Sequence, residues 1–276
     1  MTSGAEWQGP VGQSWADEWQ RTERAMAGIG DVLDAEIARV APVAGRALDI
    51  GCGVGSTSLA LTRSAPALEV VGVDLSAALV RVARERAAAA AALTFEAGDA
   101  IGVAERLAPN DLIVSRHGVM FFDDPAGAFA RLRAAARPGA PLVFSCFRRR
   151  EENEWARVLD AAAGVVPLEA SGPGPFSLAD HTATTDVLSH AGWSDVTAVP
   201  HDVGYVLGDG SEPVEEALAF TRRIGPAARV IAEAGAADRS RIEDRLRAAF
   251  ASRVTGGRVS LSASVWIWTA RAGDAP

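Results

Sequence analysis

The chain reads as an α/β protein built on a doubly wound, mainly parallel sheet, and three features of the sequence predict this. Short, almost wholly apolar runs recur up to residue 147, as strands covered on both faces require. Stretches of helical periodicity separate those runs, so strand and helix alternate. The first run ends in a glycine-rich turn, at the place where open sheets of this kind bind ligands. At 276 residues the chain is long enough for one large domain with ample core.

The strands are expected at 47–50, 70–74, 93–96, 112–115 and 142–147, the run at 93–96 being the weakest. After the second, Ser76 is suited to cap a helix whose inner face carries Leu79, Val82 and Ala83. After the fourth, Asp124 and Pro125 open a helix that Phe129 and Leu132 pin to the core and Arg137-Pro138-Gly139 ends. Beyond 147 the alternation loosens. Helices are expected at 155–163, 178–190, 214–224 and 239–251, with a loop at Gly172-Pro173-Gly174-Pro175. A strand is expected from 195 to about 200, reaching toward Tyr205, and a long alternating one at 259–270. No internal repeat or long linker divides the chain. The expected organisation is an N-terminal helical lid over 1–44, a ligand-binding core over 45–147 and a substrate-side half over 148–276. That half carries helical insertions at about 151–191 and 212–252, which would form a cap.

Composition narrows the function. A formal net charge of −8 argues against a protein that grips nucleic-acid phosphates and against a polybasic membrane anchor. No apolar run reaches the roughly 18 residues of a membrane span, and the N-terminus has neither a basic n-region nor an apolar h-region. A cytoplasmic protein is the expectation. Cys52 and Cys146 lie in apolar or glycine-rich segments without CxxC spacing, so both are read as free thiols rather than disulfide or zinc ligands.

The most informative segment is Asp49-Ile50-Gly51-Cys52-Gly53-Val54-Gly55-Ser56. Glycines let the backbone turn sharply and let a ligand approach the main chain. Dinucleotide-binding folds use a similar loop, GxGxxG, but the third glycine of that pattern would fall at Ser56. Asp49 precedes the first glycine by two. A carboxylate there suits a cationic aminocarboxylate and would repel a pyrophosphate. Asp74, at the end of the second strand, is suited to accept both hydroxyls of a ribose, as it would be for NAD also. Asp99 follows the third strand, where it can accept from an adenine amino group. Alternatively, each acid simply caps the helix that follows it.

These segments resemble the class I, Rossmann-like S-adenosylmethionine-dependent methyltransferases, in the broad group related to the ubiquinone/menaquinone C-methyltransferases. The resemblance rests on ALDIGCGVGSTSLAL, VGVDLS, FEAGDA, DLIVSRHGVMFFDDPAGAF and RAAARPGAPLVFSCF, in the family's order and spacing over roughly 45–147. It is weaker afterwards, where GPFSLAD and VSLSASVWIWTAR still fit. It implies a seven-stranded sheet, mostly parallel, with the last strand inserted antiparallel. It implies S-adenosyl-L-methionine as cofactor, with S-adenosyl-L-homocysteine as product. By the same resemblance Asp49, Gly51, Gly53 and Gly55 would line its methionine end, Asp74 and Leu75 would hold the ribose, and Asp99 and Ala100 the adenine. The Ser115 carbonyl would face the ligand amino group, and Trp15 on the N-terminal helix would close over the methionine end.

A sulfonium methyl is already activated, so transfer relies on positioning and desolvation, and a base is needed only if the nucleophile arrives protonated. His117, just past the fourth strand, is the candidate base. Otherwise its ring stacks in the pocket wall. Arg116 is expected to pair within the fold, or else to hold a substrate carboxylate. His117, Met120, Phe121, Trp155, Phe176 and Tyr205 are candidates for an apolar substrate pocket, with ordinary core packing as the alternative. Trp7 and Trp19 are expected to anchor the N-terminal helix by burial.

Ser115-Arg116-His117-Gly118 replaces the (Asn/Asp)-Pro-Pro-Tyr of amino methyltransferases acting on nucleic-acid bases and glutamine. No GxSxG elbow and no metal-ligand spacing is present, so no metal is expected. The expected partner is a small, apolar or aromatic methyl acceptor, with neither nucleic acid nor membrane. The rival readings are a protein that binds S-adenosylmethionine without turnover and an NAD-dependent oxidoreductase.

Overall fold

In a computed structural model of the chain, residues 4–87, 92–165 and 172–273 are described, so 1–3, 88–91, 166–171 and 274–276 of the expected segments lie outside them. Three helices open the chain: α1 (Gly4–Gln8), α2 (Pro10–Asp17) and α3 (Trp19–Val40). Strand and helix then alternate: β1 (Gly45–Ile50), α4 (Ser56–Ser64), β2 (Leu68–Asp74), α5 (Ala77–Arg86), β3 (Leu93–Ala97), α6 (Ala100–Arg106), β4 (Leu112–Arg116), α7 (Pro125–Ala135) and β5 (Pro141–Phe147). The second half holds α8 (Glu154–Ala163), α9 (His181–His190), β6 (Trp193–Asp209), α10 (Pro213–Thr221), α11 (Pro226–Glu233), α12 (Ala236–Ala251), β7 (Val254–Thr255) and β8 (Arg258–Ala272).

The strand order is β3-β2-β1-β4-β5-β8-β6. β1 pairs in parallel with both β2 and β4, and β4 with β5. The chain therefore winds outward in opposite directions from β1 and β4, and a crevice opens at the carboxyl ends of those two strands. β8 enters antiparallel between β5 and β6, with Phe147 opposite Val265 and Tyr205 opposite Leu261. The seven expected strands are all present, and β7 is an added two-residue strand. It forms a hairpin with β8 through Gly256 and Gly257, whose φ of 58° and 74° is the left-handed pair that a two-residue turn requires.

The central strands are buried on both faces, β5 along its whole length. Phe129 of α7, Phe144 of β5 and Trp268 of β8 follow one another at centroid distances of 5.5 and 6.0 Å, all fully buried. The Trp193 indole N–H donates to the Phe129 carbonyl, tying the start of β6 to α7.

Some boundaries differ from expectation. The helix expected from 178 starts at His181, because the Asp180 carboxylate accepts from the Ala183 N–H and so fixes the first turn. Leu178 is instead buried, its carbonyl accepting from the Thr184 hydroxyl. The strand expected near 195–205 extends over Trp193–Asp209, because β8 pairs with it antiparallel from Trp193 opposite Ala272 to Asp209 opposite Arg258. The helix expected at 214–224 ends at Thr221. α11 had no counterpart in the expectation, although Gly225-Pro226 opens it and Gly235 follows it, a legible punctuation. Cys52 and Cys146 are free and buried.

Candidate functional site

The glycine turn leaves β1 with Gly51, Gly53 and Gly55 at φ of 63°, 55° and 81°. An L side chain in that region costs about 1–2 kcal/mol per residue, so alternate left-handed positions select glycine. The turn is held from beneath. The Cys52 N–H donates to the Val73 carbonyl at 3.0 Å, and the Gly53 N–H donates to Asp74 Oδ2 at 2.9 Å. The other Asp74 oxygen accepts from the Ser76 N–H at 2.8 Å. Asp74 thus joins the ends of β1 and β2, and burial raises its pKa against these two amide bonds. Above Gly53 the space is open, since a side-chain carbon built there would meet nothing within 4 Å.

Asp49 lies on β1 just before the turn and is 1% exposed. One oxygen accepts from the Ser58 hydroxyl of α4 at 2.6 Å, while Oδ1 is buried without a partner. Burial pushes its carboxyl up to about 7, against the Ser58 hydrogen bond and the Arg116 cation. A buried acceptor left unmatched costs roughly 1–3 kcal/mol, so a donor brought to it offsets part of that cost. The unmatched acceptor and the open cradle over Gly53 are chemically suited to the cationic methionine end of S-adenosylmethionine.

β4 delivers the opposite wall. The Ser115 hydroxyl donates to the Ile50 carbonyl at 2.7 Å and accepts from the Gly118 and Val119 N–H groups, which locks the turn after β4 onto β1. Gly118 lies so close to Gly51 that a side-chain carbon on Gly51 would sit 2.8 Å from the Gly118 Cα. His117 occupies this turn at φ of 63°, an uncommon conformation for a residue with a side chain. Its ring is 4% exposed, Nδ1 lies 2.7 Å from Ser145 Oγ and Nε2 is buried without a partner. Burial, then the Arg116 charge, lowers its imidazolium pKa to about 3.

Arg116 pairs within the fold, donating to Glu23 of α3. The Ser56 hydroxyl also donates to Glu23, and Arg86 donates to the Ser56 hydroxyl and the Val54 carbonyl. This chain of contacts ties α3 to the glycine turn. Glu23 and Ser58 support the site yet carry no motif of their own, because each contact joins elements only in three dimensions.

The aromatic candidates form one cluster. His117 meets the face or edge of Phe147 in a T-shaped pair at 4.2 Å, and Phe147 packs on Trp155 at 5.0 Å and on Phe176 at 5.9 Å. Trp155 stacks on Phe176 and on Tyr205, whose buried hydroxyl has its pKa raised. Phe147 was absent from the sequence-based candidates, since within a strand it reads as core. Met120 is buried, and its carbonyl accepts from the Ser177 hydroxyl and the Gly174 N–H, which seats the loop carrying Phe176. Phe121 lies elsewhere: half-buried, it meets Trp7 edge-on at 5.2 Å.

The N-terminal helices cover the β2 side. Trp7 and Trp15 meet edge-on at 5.4 Å and pack, with Trp19, around Ala16, Val54 of the glycine turn, and Leu79 and Val82 of α5. Leu75 is half-buried, within reach of Gly4. Asp99 is exposed and caps α6 through the Ile101 and Gly102 N–H groups, with half-buried Ala100 next to it. Among the described residues no group of His, Cys, Asp or Glu is arranged to hold a metal, and no helix is long and apolar enough to cross a membrane.

A doubly wound sheet with an acid-flanked glycine turn at its switch point is a Rossmann-like arrangement, which places a ligand at the carboxyl ends of β1 and β4. Residues 47–139, about a third of the chain, match the family described as "Methyltransferase domain". A trans-aconitate 2-methyltransferase of Variovorax paradoxus (strain S110) is 33% identical over 157 residues, 57% of this chain and 57% of that protein. The chain therefore spans little more than half the length of that relative. A demethylmenaquinone methyltransferase of Deinococcus radiodurans is 31% identical over 99 residues, 36% of this chain and 41% of that protein. The quinone relationship thus covers only part of the core. Among solved structures, phosphoethanolamine N-methyltransferase 2 of Haemonchus contortus in complex with S-adenosyl-L-methionine has a TM-score of 0.56 at 17% identity. That likeness covers 99% of this chain and 61% of the other, and is one of fold.

Proposed function

We propose that the whole chain transfers the methyl group of S-adenosylmethionine to a small acceptor held between the turn after β4, the end of β5 and the aromatic cluster. The observation that carries this is Asp49, a sealed carboxylate with one unmatched oxygen beside an open glycine cradle. When bound, S-adenosylmethionine supplies an activated methyl on a positively charged sulfur. In this reading Asp49, Gly51, Gly53, Gly55 and the Ser115 carbonyl hold the methionine end, with Trp15 over it. Asp74 and Leu75 hold the ribose, Asp99 and Ala100 the adenine. His117, Met120, Trp155, Phe176 and Tyr205 exclude water from the acceptor and orient it, while Phe121 closes against Trp7. Helices α1–α3 act as the lid. The relative named for trans-aconitate supports a small-molecule acceptor, and the partial likeness to a demethylmenaquinone enzyme supports an apolar ring as one form of it. The −8 charge supports an acceptor other than nucleic acid.

Calorimetry with S-adenosylmethionine, S-adenosylhomocysteine and NAD tests the cofactor. The two sulfur nucleosides are expected to bind and NAD is not; the reverse would return the oxidoreductase reading. Release of S-adenosylhomocysteine with a panel of carboxylates, phenols, amines and quinones then tests turnover. Tight binding without transfer to any of them would favour a protein that retains the cofactor unused.

A further inference from the structure

We infer that His117 presents a protonated Nε2 to the methyl acceptor, as a hydrogen-bond donor to an oxyanion, and that Ser145 is the positioning residue that fixes this tautomer. The inference rests on the methyl-transfer reading and names the acceptor chemistry of that same site.

The two side chains form a closed unit. Nδ1 of His117 lies 2.7 Å from Ser145 Oγ, and the His117 N–H donates to the Ser145 carbonyl at 3.2 Å. Both residues are buried, and among the described residues Ser145 Oγ has no other partner. Two proton arrangements exist for a neutral ring. If Nδ1–H donates to Ser145, the hydroxyl hydrogen and the Nε2 lone pair are both left unmatched inside the protein. If the Ser145 hydroxyl donates to Nδ1, only the Nε2–H is unmatched. The second arrangement leaves fewer buried groups without partners, so the ring proton resides on Nε2. Burial and the Arg116 charge keep the ring from taking a second proton, which is why a single proton has to be placed.

A ring in that state cannot remove a proton at Nε2, because its one basic lone pair is engaged by Ser145. It can only donate. This removes the general-base role that the position of His117 suggests, and it selects an acceptor whose attacking atom arrives unprotonated. A carboxylate meets that requirement. One carboxylate oxygen accepts from Nε2–H, and an oxygen of the same group forms the bond to the methyl carbon. The carbon–sulfur bond breaks with its electron pair passing to sulfur. The negative acceptor and the positive sulfonium become a neutral ester and a neutral thioether, and no proton is released. His117 is near enough to the cofactor crevice for this, since the adjacent Gly118 lies against Gly51 of the glycine turn.

Nitrogen NMR of the histidine rings in the full chain saturated with S-adenosylhomocysteine reads the tautomer directly, with His117→Gln assigning its signals among the four histidines. The Nε2–H form is expected to predominate by roughly fivefold or more, and Ser145→Ala to bring the two forms toward equality. A wild-type ring protonated on Nδ1 would overturn the inference, whether or not the Ser145 variant folds. This measurement needs no turnover, so its failure is distinct from failure of the methyl-transfer reading. In turnover, benzoate and cinnamate are expected to be methylated in preference to phenol and aniline, without a solvent deuterium isotope effect. Loss of the donor in His117→Ala should raise KM for the carboxylates by about tenfold without lowering kcat, because the charge that Nε2–H holds in the bound acceptor is being neutralised in the transition state. Preferred methylation of the uncharged acceptors, with a solvent isotope effect, would show proton removal and sink the idea.

Discussion

At the scale of the residue, two buried groups at the ends of neighbouring strands pull the stability curve in opposite directions. The His117 imidazole is displaced from its ordinary 6.5 to about 3 by burial and by Arg116. The unfolded chain therefore binds a proton at this residue below pH 6.5 while the folded chain does not. The contribution of this residue to stability is complete above pH 6.5 and is lost as pH falls from there toward 3. The Asp49 carboxyl is displaced upward, from 3.8 to about 7, by burial against the Ser58 hydroxyl and Arg116, with Asp34 and Asp74 adding to the rise. Here the folded chain keeps a proton that the unfolded chain has released, so stability falls as pH rises from about 4 to 7. Asp34, raised to about 6, acts in the same sense as Asp49. Between pH 7.5 and 5.5 each of the two buried groups amounts to about 1–2 kcal/mol, with opposite signs. With Asp34 adding to Asp49, urea unfolding of the wild type should show a modest gain of about 1 kcal/mol on going from pH 7.5 to 5.5. His117→Gln should become more stable at pH 5.5 than at 7.5, and Asp49→Asn less stable; two variants sloping the same way would contradict the assignment. Ligand binding offers a second reading of Asp49. A cationic ligand favours the ionised carboxylate, so S-adenosylmethionine should bind with net proton release at pH 6. Calorimetry in two buffers of different ionisation enthalpy should register it, and Asp49→Asn should abolish it.

Elements decide how tightly the crevice is covered. Gly12 of α2 is the contact point between the N-terminal helices and the site: a side-chain carbon there would come within 2.1 Å of the Trp7 carbonyl and 2.3 Å of the Ser76 hydroxyl. Neither neighbour can yield cheaply, since one is backbone and the other caps α5 through the Leu79 N–H. Gly12→Ala should lift α2 from α5 and weaken S-adenosylhomocysteine binding by about tenfold or more. The sheet lies beyond its reach, so circular dichroism should show an intact fold. Unchanged affinity would mean that these helices do not cover the ligand. The sequence carried the framework of this picture because it is written locally: apolar runs for β1 to β5, glycines at left-handed φ where a side chain is costly, and acids at strand ends. It carried less where three-dimensional neighbours decide. The start of α9 depends on the cap made by Asp180, and the length of β6 on its pairing with the distant β8. The left-handed conformation of His117 and its bond to Ser145 join β4 and β5, and neither strand announces it. Asp99 is the intermediate case, since the cap on α6 and an adenine contact make the same demand on sequence.

For the molecule as a whole, the question is whether the N-terminal helices move alone. Their polar contacts run to the far end of the chain. Arg21 makes a two-point contact with Glu216 of α10 while also reaching Glu18, and Arg24 pairs with Asp209 and Glu216. Arg223, just past α10, bonds both Asp17 and Glu18 at 2.9 and 2.6 Å. Isolated surface pairs contribute little, about 0–1 kcal/mol, because solvent screens them. These share Glu216 and the buried Glu18, so they form a network between the proposed lid and the substrate-side helices. Opening the lid to release the cofactor product must break it. Arg223→Ala should then speed S-adenosylhomocysteine dissociation by up to about fivefold, the factor that roughly 1 kcal/mol supplies. The same loss should lower Tm by only about 2–4 °C in a chain of this size. Raising the ionic strength to about 0.5 M should speed the wild type more than the variant, which keeps the Arg21 and Arg24 contacts but lacks those of Arg223. Stopped-flow tryptophan fluorescence can follow the release, with Trp7, Trp15 and Trp19 in the moving part. If the wild-type rate is insensitive to both the substitution and salt, the lid opens without parting from α10, and the two halves of the site close independently.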